Sequence, residues 1–195
     1  MIHPALRIVT TVLLLLLLAA CASHGGRLQR AGHVQVFDLT ISSELDWARY
    51  RSPRQELWTI DGPLLNQLRI ISAIKPGEHV FLRGKQRRTQ PNGPWFRSGM
   101  RPDEVRDLVL DALRLEGWTR VSANALRPAP LGDLSGLRFE LDLTSGSGLI
   151  YRGQAAATER DGRLTLLLWL APAEHYYPRD ADAVRRLLDT LRFSY

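Results

Sequence analysis

Leu137-Arg138-Phe139-Glu140-Leu141-Asp142-Leu143-Thr144 alternates apolar and polar side chains without a break. Successive side chains on a strand point to opposite faces, so this stretch buries one face and wets the other. Ser145-Gly146-Ser147-Gly148 then turns the chain into a second strand over residues 149–158. Arg160-Asp161-Gly162-Arg163 turns it again, into a third over 164–170. Short turns of this kind join antiparallel neighbours, not parallel ones. The third strand, Leu164-Thr165-Leu166-Leu167-Leu168-Trp169-Leu170, is apolar almost throughout and reads as a central strand covered on both faces.

What covers it lies on either side in the chain. Pro102 suits a first helical position, Asp103 and Glu104 suit the positive N-terminal end, and Gly117 stops the helix. Val105, Leu108, Val109, Ala112 and Leu113 form one stripe at three- and four-residue spacing. A last helix is expected over 181–191, capped by Asp180, with Val184, Leu187, Leu188 and Leu191 inward. Between the first helix and Leu137, residues 118–126 read as a strand and Arg127-Pro128-Ala129-Pro130-Leu131-Gly132 as a loop.

Further upstream, residues 34–41 predict a first strand, and residues 44–54 fit either a turn or a short helix. Gln55-Glu56-Leu57-Trp58-Thr59-Ile60 alternates as a strand and breaks at Asp61-Gly62-Pro63. Residues 68–74 form another strand, ended by Lys75-Pro76-Gly77-Glu78, and residues 79–82 a short one. The sum is an α+β domain, an antiparallel β-sheet meander packed with two amphipathic helices.

The N-terminus is of a different kind. Residues 1–7 carry Arg7 and no acid, residues 8–18 are apolar, and Ala19-Ala20 follow. This is the layout of a secretory signal, too short for the roughly 20 apolar residues of a membrane span. Cys21 is the chain's only cysteine, so no intramolecular disulfide is open to it and the folded part must rely on its core.

Leu18-Ala19-Ala20-Cys21 resembles the bacterial lipobox. That resemblance implies that Cys21 becomes the first mature residue and carries a diacylglyceryl group, with palmitate-type acylation of the new amino terminus. Ala22 follows where an inner-membrane retention aspartate would stand, which implies a lipid anchor in the outer membrane, facing the periplasm. The organisation expected is residues 1–20 as a lipoprotein signal peptide, 21–32 as the lipidated cysteine with a flexible tether, and 33–195 as one periplasmic domain.

The domain's strand order, its helix after a long loop and the ending Val184-Arg185-Arg186-Leu187-Leu188-Asp189-Thr190-Leu191-Arg192-Phe193 resemble the PsbP-like α/β/α sandwich domains of small bacterial envelope lipoproteins. The blocks 57–65 and 175–178 are distinctive, and the resemblance they carry is to an uncharacterised lipoprotein family. The resemblance implies an accessory or binding role; no cofactor is expected.

The formal net charge is +6, and the expected removal of residues 1–20, with Arg7, leaves +5. Lys75 and Lys85 are the only lysines, so the basic character is almost wholly arginine. A basic balance fits nucleic acid, a membrane surface or an acidic polymer, and a secreted location makes nucleic acid the least favoured partner.

The candidate contact surface is the glycine- and proline-broken stretch 83–101, with Arg83, Lys85, Arg87, Arg88, Arg97 and Arg101 and no acid among them. Guanidinium groups match phosphates bidentately. Trp95 and Phe96 either insert at a lipid interface or partner pocket, or fold back onto the core. Anionic lipid or an envelope protein is the partner this surface fits. A second reading is a small-molecule or lipid cleft between sheet and helix, lined by Trp58, Trp169 and Tyr176.

Catalytic patterns are weak. Gly146-Ser147-Gly148 lacks the nucleophile-elbow form and reads as a hairpin turn. His79 and His175 stand apart and offer no metal-ligand spacing. The reading is therefore no enzyme and no metal, with an unrecognised hydrolase as the remote alternative.

Overall fold

The computed structural model describes residues 26–83 and 91–194. Eight strands form one antiparallel sheet: β1 (Arg27–Gln29), β4 (Trp47–Arg51), β5 (Gln55–Thr59), β6 (Gln67–Ile74), β10 (Arg163–Pro172), β9 (Ile150–Arg160), β8 (Leu134–Thr144) and β7 (Arg120–Leu131), in that spatial order. A second sheet of three holds β11 (Arg192–Phe193), β3 (Leu39–Ser43) and β2 (Gly32–Val36). Helices α1 (Pro102–Leu115) and α2 (Tyr176–Asp189) lie on opposite faces of the large sheet.

β10 sits centrally between β6 and β9, and its alternation serves two cores. Leu164, Leu166, Leu168 and Leu170 meet Val105, Val109 and Leu113 of α1, together with Phe139 and Leu141 of β8. Leu167, Trp169 and Ala171 meet Val184, Leu187 and Leu188 of α2, with the β2–β3 hairpin closing that layer. Full burial of each such side chain stabilises by roughly 1.5–3 kcal/mol relative to exposure, so the stripes on both helices fix them to the sheet. Gly153 of β9 permits the close fit beside β10, since a Cβ there would come within 2.6 Å of the Trp169 carbonyl oxygen.

Six stretches differ from expectation. Residues 34–41 are a hairpin, β2 and β3, because the apolar phase shifts from Val34 and Val36 to Leu39 and Ile41 across a turn with Phe37 at φ 56°. Residues 27–29, expected in the tether, pair with β4 as Arg27↔Arg49 and Gln29↔Trp47; backbone hydrogen bonds hold them with little help from side chains. The expected loop 127–132 is the second half of β7, paired with β8 beyond a bulge near Ala125. β7 is an edge strand, so Pro128 and Pro130, two apart, both present their missing N–H to the open side.

The last helix starts at Tyr176, five residues before the position expected. Pro178 falls in its first turn, where the backbone N–H has no helical partner to lose. Asp180 is then not a cap: it is buried, accepting from Asn66 Nδ2 at 2.6 Å and from Arg179. Residues 44–54, expected as a turn or short helix, contain strand β4, and the short strand expected at 79–82 is reduced to one bridge, His79↔Trp95.

Candidate functional site

α1 covers the β8–β10 part of its face and leaves the β5–β6 part open. Gln55, Leu57, Gln67 and Arg69 floor a cleft of about 650 Å³ there. Phe81, Leu82 and Arg83 wall one side, and the chain leaving α1, Glu116-Gly117-Trp118, walls another. Pro63, Leu64 and Tyr151 complete the rim; the Tyr151 hydroxyl donates to the Leu64 carbonyl at 2.6 Å, and Trp118 meets the Tyr151 ring edge-on at 4.9 Å.

The polar end is an arginine–carboxylate–arginine cluster. Arg69 Nη1 donates to both Glu116 oxygens at 2.8 and 2.9 Å, and Arg83 Nη2 lies 2.8 Å from Glu116 Oε1. Glu116 is 6% exposed and Arg83 63% exposed, so the carboxylate is held inside while one cation faces solvent. Arg69 is fixed further by Nε donating to Gln67 Oε1 at 3.0 Å and by the Phe81 ring 5.3 Å away. Two guanidinium groups on one carboxylate leave the cluster one positive charge in excess.

His79 stands behind this cluster. Burial, and then the Arg83 charge, push its imidazole pKa below the ordinary value, against a weaker pull from Glu116. Its Nδ1 accepts the Phe81 N–H at 3.0 Å, which fixes the tautomer with the proton on Nε2. Burial also pushes the Tyr151 hydroxyl upward. Chemically the cleft can pair an anionic group with Arg83 and Arg69 and lay an apolar body over Leu57, Leu64 and Trp118.

The expected contact surface divides. Arg83 enters the cleft. Arg97 and Arg101 lie at the start of α1, within 3.4 Å of Glu104 and 3.0 Å of Asp103 respectively, so the acids missing from the loop come from the helix it precedes. Trp95 and Phe96 are buried, Phe96 wholly, which removes them from any lipid-inserting surface; Trp95 packs edge-on against His79 at 5.6 Å. Apolar area on such rings is too large to leave in water when the core can take it. Lys85, Arg87, Arg88 and Cys21 lie outside the described residues.

The expected pocket of Trp58, Trp169 and Tyr176 is corrected. Both indoles are wholly buried on the α2 face, Trp58 Nε1 donating to Glu56 at 2.7 Å and Trp169 Nε1 to Asn66 Oδ1 at 2.8 Å. Tyr177 stacks on Trp169 at 5.1 Å, and Tyr176 packs against the same core beneath the Arg179 guanidinium. Helix α2 fills this space, and the open cleft is on the opposite face of the sheet. No sequence pattern marks Arg69, Glu116, Trp118 and Tyr151; the one signal is a charge, Arg69, inside the run Leu68-Arg69-Ile70-Ile71.

Among the described residues, no group of His, Cys, Asp and Glu is placed to hold a metal ion, and no helix is long and apolar enough to cross a membrane. Ser147 Oγ lies 2.9 Å from Ser145 Oγ inside the β8–β9 turn.

No protein-family model matches this sequence, and no curated relative matches it. Solved structures do. The PsbP of the cyanobacterium Synechocystis (CyanoP) matches at a TM-score of 0.53 with 11% identity, over 86% of this chain and 93% of that one. The Saccharomyces cerevisiae Ran-binding protein Mog1p matches at 0.51 with 8% identity, over 86% and 96%. A crystal structure from Bacteroides thetaiotaomicron matches at 0.46 with 10% identity, over 86% of this chain, which spans about half of that protein, 50%. The fold is the α+β fold of PsbP and Mog1, with an antiparallel sheet between two helices.

Proposed function

We propose that this protein is a lipid-anchored envelope protein of the outer membrane, facing the periplasm, with a non-catalytic binding or accessory role centred on the β5–β6 cleft. The anchor rests on Leu18-Ala19-Ala20-Cys21 and the apolar run before it. The binding role rests on one observation, a preformed cleft whose only strongly exposed charge among the described residues is the Arg83 guanidinium. Preformed concave sites with a few convergent polar groups are where ligands and partner segments bind. Each titratable group lining it already has a structural partner, which favours recognition over chemistry.

The test is in-cell photo-crosslinking with a probe at Leu64, 77% exposed on the cleft rim, and a control probe at Asp107 on the outer face of α1. Acylation is checked in the same cells by palmitate-analogue labelling, lost in Cys21→Ser. The expected result is a discrete protein adduct at Leu64 that Asp107 does not give and that Arg83→Ala weakens. The same bands from both probes refute the cleft as the contact site. A volume of about 650 Å³ also suits a small anionic amphiphile. Native mass spectrometry showing a co-purified ligand, with no protein adduct, favours that reading.

A further inference from the structure

The register of β1 fixes where the anchored end of the chain leaves the domain. Arg27 pairs with Arg49 and the strands are antiparallel, so the chain enters β1 at Gly26 from the end of the sheet that holds Tyr50, Arg51 and the β4–β5 turn. Gly26 lies against the Tyr50 ring, so close that a Cβ would come within 2.8 Å of it. Five residue steps separate Cys21 from Gly26, a reach of at most ~18 Å. An acyl anchor on Cys21 therefore holds this end of the sheet beside the bilayer surface.

The same end collects the β4–β5 turn, the chain leaving β6 at Lys75 and the β9–β10 turn, because Gln55 pairs with Ile71, Ile74 with Leu164, and Arg163 with Arg160. Among the described residues its exposed cations include Arg27, Arg51, Lys75 and Arg163. Its acids are withdrawn. Glu56 is wholly buried between Arg49 and Arg51, and Glu78 is held by Arg54 and the Lys75 N–H. Asp38 is held by Arg160 and Ser72, and Glu159 by Ser98 and the Gly99 N–H. Asp161, 90% exposed, stands 3.9 Å from the Arg160 guanidinium. Leu28 and Tyr50, 55% and 40% exposed on the adjoining edge, add an apolar and an amphipathic side chain of the kind that settles at a lipid interface.

We infer that this end of the sheet docks on anionic phospholipid head groups, holding the domain in one orientation with the Leu64 rim of the cleft turned away from the membrane. The inference rests on the proposed acylation of Cys21. Tethering keeps this end within ~18 Å of the surface, about two Debye lengths at physiological ionic strength, so its cations repeatedly enter the surface field and a weak attraction suffices to orient a domain that never diffuses away. β10 spans ten residues, placing the far rim about 30 Å further out.

The test uses the full acylated protein, with acylation confirmed by the mass of its N-terminal peptide. It is reconstituted in phosphatidylcholine vesicles with or without phosphatidylglycerol. A fluorophore is placed at Ser52→Cys, in the β4–β5 turn, or at Leu149→Cys, at the opposite end, and quenched by a spin label on the lipid head groups. In phosphatidylglycerol vesicles, quenching at 52 should exceed that at 149 several-fold. The ratio should fall towards one in pure phosphatidylcholine, in high salt, and in Arg27→Glu/Lys75→Glu/Arg163→Glu. Equal quenching at both positions, or a ratio indifferent to lipid charge, overturns the inference. So does a contrast seen only in native envelope membranes, which would place a protein at this end. An unacylated N-terminus instead overturns the anchor reading, and is read from the mass alone.

Discussion

Replacing Glu56 with Gln tests whether the buried charges beneath β1 are as interdependent as their geometry requires. The carboxylate is wholly buried and accepts from Arg49 Nε and Nη2 at 2.8 and 2.9 Å and from Trp58 Nε1 at 2.7 Å, with Arg51 Nε 3.0 Å away. Arg49 is itself 8% exposed, its other hydrogen bonds being to Gln29 and the Gln35 carbonyl. Gln keeps the shape but turns an NH₂ towards a guanidinium and leaves the arginine as an uncompensated charge. Removing one partner of such a pair costs about 3–5 kcal/mol. At roughly 2–4 °C per kcal/mol for a domain of this size, the melting temperature should fall by at least about 6 °C. Urea unfolding measures the change directly, and the double substitution Arg49→Met/Glu56→Leu should recover most of it, because no charge is then left buried. A loss below about 1 kcal/mol in Glu56→Gln, or a double variant as unstable as the sum of the singles, would refute the argument.

Val105→Asp and Leu188→Asp each push a carboxylate into a closed core, so each should abolish cooperative thermal unfolding or lower its midpoint by more than about 10 °C, whereas exposed Asp107→Ala should stay within about 0.5 kcal/mol of the parent. His79 has a folded pKa below its ordinary 6.5, so the unfolded chain takes up the proton first; stability is fully present above pH 6.5 and falls as the pH drops through it. His79→Gln, which keeps an acceptor for the Phe81 N–H, should flatten that slope in urea titrations run at successive pH values. Glu78, held down to about 2 chiefly by Arg54, contributes stability above pH 4.5 that is lost as the pH falls towards 2, a window Glu78→Gln should remove. Pro128→Thr/Pro130→Val restores two outward N–H groups to the edge strand β7, and should leave the melting temperature nearly unchanged while producing concentration-dependent dimers in size-exclusion chromatography.

The parts of the fold legible in the sequence are those where one periodicity acts alone. Strand β8 and helix α1 each pack one face, so the period is printed in their side chains; β10 packs two, and shows it as an unbroken apolar run. Legibility fails where tertiary placement decides. Pro128 and Pro130 break a central strand but not an edge, Pro178 breaks a helix interior but not its first turn, and nothing local says which applies. Residues 27–29 join the sheet through backbone pairing, with a bond from Arg49 to the Gln29 side chain that no local pattern announces. The site was harder. Arg69, Glu116 and Tyr151 lie far apart in the chain and meet only because β6, the end of α1 and β9 converge, and the loop arginines 97 and 101 look unopposed until the start of α1 brings Asp103 and Glu104 to them.

The central strand has a consequence for how the molecule comes apart. Either helical layer can peel from the sheet and expose only its own side of β10, while the other side stays dry. Amides of residues 166–170 should therefore be the last in the domain to exchange with deuterium, since both layers must open before the neighbouring strands β6 and β9 release them. Amides of β1, at the margin, should exchange early. A partner that levers α1 aside would thus meet a sheet still clamped from behind, and the domain could yield on one side without losing its grip on the other.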